Sequence, residues 1–171
     1  MAETEGPKCP QATAELLTHI CQKGFQAGSL VGLGIVLPAV ALRRRSSGAS
    51  LVTKEFQTTG AKVLTYSAAI GLMTTGAMGL GMIYGRPLET EGIEDRAYRL
   101  RYNEGQLRTD LFGQVGTFAG ALGGVLALQG MRNIALAACG GGAAGTALGI
   151  LAHVATSKPS EGPNKMIKEL S

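Results

Sequence analysis

The side chains best suited to chemistry in this sequence are few and scattered. There are two histidines, His19 and His153, and three cysteines, Cys9, Cys21 and Cys139. His19 and Cys21 flank a single isoleucine, but Cys9, His19 and Cys21 lack the paired Cys-x-x-Cys spacing with which zinc sites fix a tetrahedron. No metal is expected. A Cys9–Cys21 disulfide is open to the chain only in an oxidising compartment, and Cys139 reads as a small apolar residue. The glycine run "CGGGAAG" has no following Gly-Lys-Ser/Thr, so it is no phosphate loop. A proton relay at His153 would want an acid at the same depth, and none lies in its segment. No catalytic residue, cofactor site or metal site is assigned, and the expectation is a chain that is not an enzyme.

Charge distribution is far more informative. Four windows hold no Asp, Glu, Lys or Arg: Gly24–Leu42, Val63–Tyr84, Leu111–Met131 and Asn133–Ser157. They hold 87 of the 171 residues and none of the 28 formal charges. A soluble helix keeps a charged face toward water, and about 20 mainly apolar residues cross the hydrocarbon core of a bilayer. The expected fold is therefore all-α, a polytopic membrane protein with four glycine-rich spans. Residues 1–23 form a soluble N-terminal segment, 24–157 the membrane domain and 158–171 a tail. Mean hydropathy is only +0.17 because 19 of the 26 glycines fall inside the windows. A soluble Gly/Ala-rich bundle is the alternative class. Pro38 removes a donor from the first span and predicts a kink there.

The glycines are spaced by four. Gly24, Gly28 and Gly32 form one row, and Gly116, Gly120 and Gly124 a second. Gly141, Gly145 and Gly149 form a third, and Gly71, Thr75 and Gly79 a mixed fourth. Positions four apart share a helix face, so each row is a notch without side chains. Hydrocarbon gives helices little reason to associate, and close main-chain approach through small residues takes its place. These rows are expected to pack helices together, within the chain or against other membrane subunits.

Connections between the spans carry the charge. Arg43, Arg44 and Arg45 abut the first span, and Arg132 alone separates the third from the fourth. With four spans these two connections share a side and hold six basic residues and one acid, against ten basic and eleven acidic elsewhere. The arginines abutting the span end favour that side as the matrix side, although the bare Lys/Arg count points the other way. The opening "MAETEGPKCP" resembles neither a secretory signal nor an Arg-rich transit peptide, so internal targeting signals are expected.

The stretch "EGIEDRAYRLRYNEGQLRTD" is amphipathic. Ile93, Ala97, Leu100, Leu107 and Leu111 keep helical spacing, Arg96, Arg99 and Arg108 occupy other faces, and Tyr98 and Tyr102 lie four apart. It reads either as a recognition helix at the membrane interface or as a solvated connector, with Gly105 as its expected break. Nucleic acid is not an expected partner: the basic residues flank apolar spans, where lipid headgroups explain them.

The stretch "RTDLFGQVGTFAGALGG", with the four spans around it, resembles the mitochondrial inner-membrane translocase superfamily over residues 20–157. That group also contains an accessory subunit of respiratory complex I. Arg108, Asp110, Ala119, Gly120 and Gly124 are the positions that match its Arg…Asp…Gly-x-x-x-Gly signature. The resemblance implies a multi-pass inner-membrane protein whose partners are other membrane subunits and lipids, with structural phospholipids its only non-protein component. Two functions follow: a non-catalytic accessory subunit of a respiratory complex, complex I first, or a translocase or small-solute channel subunit. The windows contain polar residues such as Gln26, Thr75, Gln114 and Thr146 but no acid or base. Since ionisable groups are the usual mark of a conduit, the accessory role is favoured. In it, Arg43–Arg45, Arg96, Tyr98, Arg99, Tyr102, Arg108 and Asp110 would meet partners or lipid.

Overall fold

The computed structural model describes residues 9–85, 90–128 and 133–157. Residues 1–8, the 158–171 tail, the Arg132 connection and the end of the third window lie outside the described residues. All regular structure among those described is helical. Helix α1 (Pro10–Val31) continues through a five-residue π-helical turn (Gly32–Val36) into α2 (Leu37–Ser46). Then come α3 (Lys54–Tyr84), α4 (Thr90–Tyr102), α5 (Glu104–Ala127) and α6 (Ile134–Thr156).

Side-chain caps set the helix starts. Thr53, Asn103 and Asn133 each accept a hydrogen bond from the backbone N–H three residues on, satisfying a donor the first turn leaves open. Helix α2 ends in a Schellman turn: Gly48, at φ +72°, directs Ala49 N–H to the Arg44 carbonyl. Asn103, not Gly105, breaks the amphipathic stretch. It ends α4 and caps α5, so Gly105 lies in the first turn of α5. The single helix expected there is two. Ile93 and Ala97 on α4 are buried, whereas Leu107 and Leu111, on α5, are exposed.

Ahead of Pro38, where a kink was expected, the helix makes a π turn. Leu37 N–H bonds to the Gly32 carbonyl, five residues back, so the ladder is reset just before the proline that cannot donate.

Among the described residues, three helices are long and apolar enough to cross a membrane: Pro10–Ser46, Lys54–Tyr84 and Ile134–Thr156. The first begins well ahead of the Gly24 boundary read from charge, so residues 10–23, expected to be a soluble segment, open a 37-residue helix. Helix α5 is not among the three; it opens on Glu104, Arg108 and Asp110 before its apolar run starts at Leu111.

The four long helices pack in alternating directions. Gly24 and Gly28 of α1 meet Gly71, Ser67 and Thr75 of α3, and Gly116, Gly120 and Gly124 of α5 meet Gly145, Gly141 and Ala137 of α6. Added side chains would overlap carbonyl oxygens across both seams. Main chains touch there directly, as small-residue rows allow. The rows, expected to pack within the chain or against other subunits, thus pack within it, mostly on one another, while Gly79 meets Ile20 and Leu17 of α1. Gly140, outside the spaced rows, presses on Ala61 and brings α6 against α3. The buried cluster of Leu64, Ala68 and Ala143 fills that junction, with Phe25, Leu33 and Leu37 against it. At the other end, Leu16, Ile83 and Ile93 join α1, α3 and α4.

Candidate polar site between α1 and α5

His19, Lys23 and Gln26 recur at i, i+4 and i+7 and form one stripe along α1. Gln106, Asp110 and Gly113 form the same stripe on α5. The two helices run parallel, so the stripes meet rung by rung. Asp110 is buried, at 8% exposure. Its Oδ1 accepts from Lys23 Nζ at 2.5 Å and from Gln26 Nε2 at 2.9 Å. Its Oδ2 lies 3.5 Å from His19 Nδ1. Lys23 Nζ also donates to Gln26 Oε1 at 3.2 Å, and Gln106 Nε2 lies 2.6 Å from His19 Nε2. With the Gln106 amide donating, His19 is the neutral tautomer with its proton on Nδ1, toward Asp110. Gly113 makes room for the Gln26 amide, 3.1 Å from where a Cβ would stand.

A buried carboxylate persists only if paired and hydrogen-bonded, and Lys23 with Gln26 meets both conditions. The network is neutral overall, one anion against one cation. It holds two helices in register and brings an imidazole to a carboxylate. No group of three His, Cys, Asp or Glu suited to a metal occurs among the described residues.

Beside the network an open groove of about 680 Å3 runs between α1 and α5. Polar side chains Gln11, Thr18, Gln22 and Gln114 line it together with Leu107 and Leu111, and His19, Asp110 and Glu15 reach it from the network side. Gln22 Nε2 is buried without a hydrogen-bond partner. Above the groove, Arg101 of α4 grips Glu15 of α1 through Nε at 2.9 Å and Nη2 at 2.6 Å. The hydrogen bonds to Glu15 raise the Arg101 pKa further above its ordinary value.

Several residues expected to contact partners have internal roles. Asp110 faces α1, inside the chain. Arg44 closes the α2–α3 connection, donating to Ser50 O, Thr53 Oγ1 and Glu55 Oε2. Arg43, Arg45, Arg96, Arg99, Arg108, Tyr98 and Tyr102 remain exposed, the two tyrosine rings 4.5 Å apart. A Cys9–Cys21 disulfide is excluded by the helix between them, about 18 Å at 1.5 Å per residue. Lys23, Gln26, His19 and Gln106 were not singled out from sequence as a site. The signal was present, since Lys23 and Asp110 are the residues immediately before the first and third charge-free windows.

No curated protein matches the chain. A family model described as "Protein of unknown function (DUF1757)" matches residues 2–157, a stretch that includes α1 through α6 and both halves of the polar stripe. The chain belongs to the DUF1757 family.

Proposed function

We propose that this chain is a four-span, non-catalytic subunit of a mitochondrial inner-membrane respiratory assembly, with complex I the first to examine. Helix α5 is the fourth span in this reading, entering the bilayer at Leu111. The observation that carries it is the closure of the glycine seams. Main chain meets main chain between α1 and α3 and between α5 and α6, which leaves those interfaces closed to a solute path. Large apolar side chains instead point outward, including Ile35, Ile70, Phe118, Leu122 and Val154. Exposed apolar area on this scale suits lipid or neighbouring subunits. The likeness of the Arg108–Gly124 stretch to the inner-membrane translocase superfamily supports the location.

The test is native-gel separation of mitochondrial membranes carrying the tagged chain. Co-migration with respiratory subunits, resistant to carbonate washing, is expected. A chain found in another membrane, or migrating alone, would overturn the proposal.

A channel or translocase subunit is the second reading; the Asp110–Lys23 pair favours it where the membrane reaches outward past Leu111 along the Pro10–Ser46 helix, because ionisable groups at membrane depth commonly mark a conduit. Cysteines placed along each span decide between the two. A continuous stripe labelled by aqueous thiol reagents supports the conduit, and protection throughout the seams supports the accessory role.

A further inference from the structure

The geometry points to the groove between α1 and α5 as the seat of a zwitterionic phospholipid headgroup bearing phosphate and a primary ammonium, as in phosphatidylethanolamine. This rests on the reading of α5 as a span. The groove is amphipathic along its length. Gln11, Thr18, Gln22 and Gln114 line it, with Leu107 and Leu111 between them as its apolar wall. From Leu111 the same α5 face continues through Val115, Phe118 and Leu122, all exposed. A ligand seated here meets hydrogen-bonding groups at one end and an apolar track at the other, which is the shape of a lipid lying against a helix.

Charge selects the headgroup. Asp110 is neutralised by Lys23, and Glu15 by Arg101. A groove whose charges cancel has no net attraction for an anionic lipid, yet it offers separate partners for the two ends of a zwitterion. The part-exposed Glu15 carboxylate suits an ammonium, and amide and hydroxyl donors suit a phosphate. Gln22 carries a buried amide nitrogen that makes no hydrogen bond within the protein, a cost normally avoided and one that a phosphate or ester oxygen would relieve. Anionic lipid has a better place at the opposite end, where Arg43, Arg45, Lys54 and Lys62 are exposed. The volume, about 680 Å3, lies within the range of small-ligand sites.

The experiment uses the full chain in nanodiscs of equal phosphatidylethanolamine, phosphatidylcholine and phosphatidylglycerol, extracted into mild detergent and read by native mass spectrometry. Phosphatidylethanolamine should be the lipid retained. Gln22→Leu with Gln114→Leu should lower its retention about tenfold, while melting of the delipidated protein stays level or rises, because Gln22→Leu removes an orphaned donor. Preferential retention of phosphatidylglycerol, or equal retention by variant and wild type, would overturn the proposal. If the variant does not fold, a photoreactive phosphatidylethanolamine on wild type decides. Crosslinks to residues 11–22 and 107–114 are expected, and crosslinks confined to the Arg43–Lys62 end would overturn it. A chain that carbonate washes from membranes loses the span reading; one that stays integral but retains no phosphatidylethanolamine loses the headgroup site alone.

Discussion

Lys23 Nζ lies 2.5 Å from Asp110 Oδ1, joining two helices through residues 87 positions apart in the chain. Each is the last charge before a long uncharged run, and the runs start at the same level because α1 and α5 are parallel. The pair thus ties the register of one apolar helix to that of another. At 12% side-chain exposure the carboxylate is well desolvated, while Lys23 keeps 32%, so the pair is intermediate between a buried and a surface bridge.

Removing one partner should therefore hurt more than removing both. Asp110→Leu leaves Lys23 and Gln26 without their acceptor and should cost about 2–3 kcal/mol. Lys23→Met with Asp110→Leu should recover about 1 kcal/mol or more of that loss. Chemical unfolding in detergent, run as a double-mutant cycle, measures the coupling; strictly additive effects would show that the two groups do not interact.

Neighbouring glycines in α5 should respond oppositely to the same change. A side chain at Gly124 would overlap the Ala137 carbonyl and press on Gly141, whereas at Gly123 nothing lies within 4 Å. Gly124→Leu should open the α5–α6 seam and cost about 3 kcal/mol or more, above the usual range for overpacking because backbone cannot yield. Gly123→Leu should be neutral or slightly stabilising, since leucine favours helix over glycine by up to about 1 kcal/mol. Equal melting temperatures for the two variants would contradict the packing described.

A hydroxyl pair supports the same seam. Thr117 Oγ1 and Thr146 Oγ1 are 2.5 Å apart, and Thr146 is buried. Thr146→Val keeps the shape and should cost about 0.6 kcal/mol, and at most about 1.7, the average and the maximum for hydrogen bonds between membrane helices. Thermal unfolding in detergent would expose a null effect.

Helix α4 should be held by its apolar face more than by its ion pair. Ile93 and Ala97 are buried, whereas the Arg101–Glu15 bridge is exposed. Arg101→Gln should change stability little, and less still as salt is raised. Ile93→Asp should release α4 and make it sensitive to protease under conditions where the Arg101 variant is not. The reverse order of sensitivity would mean that charge docks this helix.

Helicity and the glycine rows were legible because uncharged length and four-residue spacing are local properties. The start of the first long helix was not. Charge marks where a helix meets lipid, and α1 continues past that level as Gln11, Glu15 and His19 run along α4 and α5. The polar site was hidden for a related reason. A search for charges inside the windows passes over Lys23 and Asp110, and only the parallel direction of α1 and α5 makes them neighbours. Which glycine row meets which is likewise a matter of topology. Gly24 and Gly116 look alike in sequence, yet one closes on α3 and the other on α6.

The π turn at Gly32–Val36 accommodates one more residue than an α-helical turn would. Each residue of an α-helix advances the phase by about 100°, so this turn fixes the azimuth of Arg43 and Arg45 relative to Gly24 and Gly28. Forcing the same residues into ordinary α-helix would swing the arginine end about 100° around the axis, whereas excising one residue between Gly32 and Val36 would let ordinary helix form and leave the arginines near their present side. The side of the bundle on which those cations emerge is thus decided in the middle of the rod, far from the cations themselves.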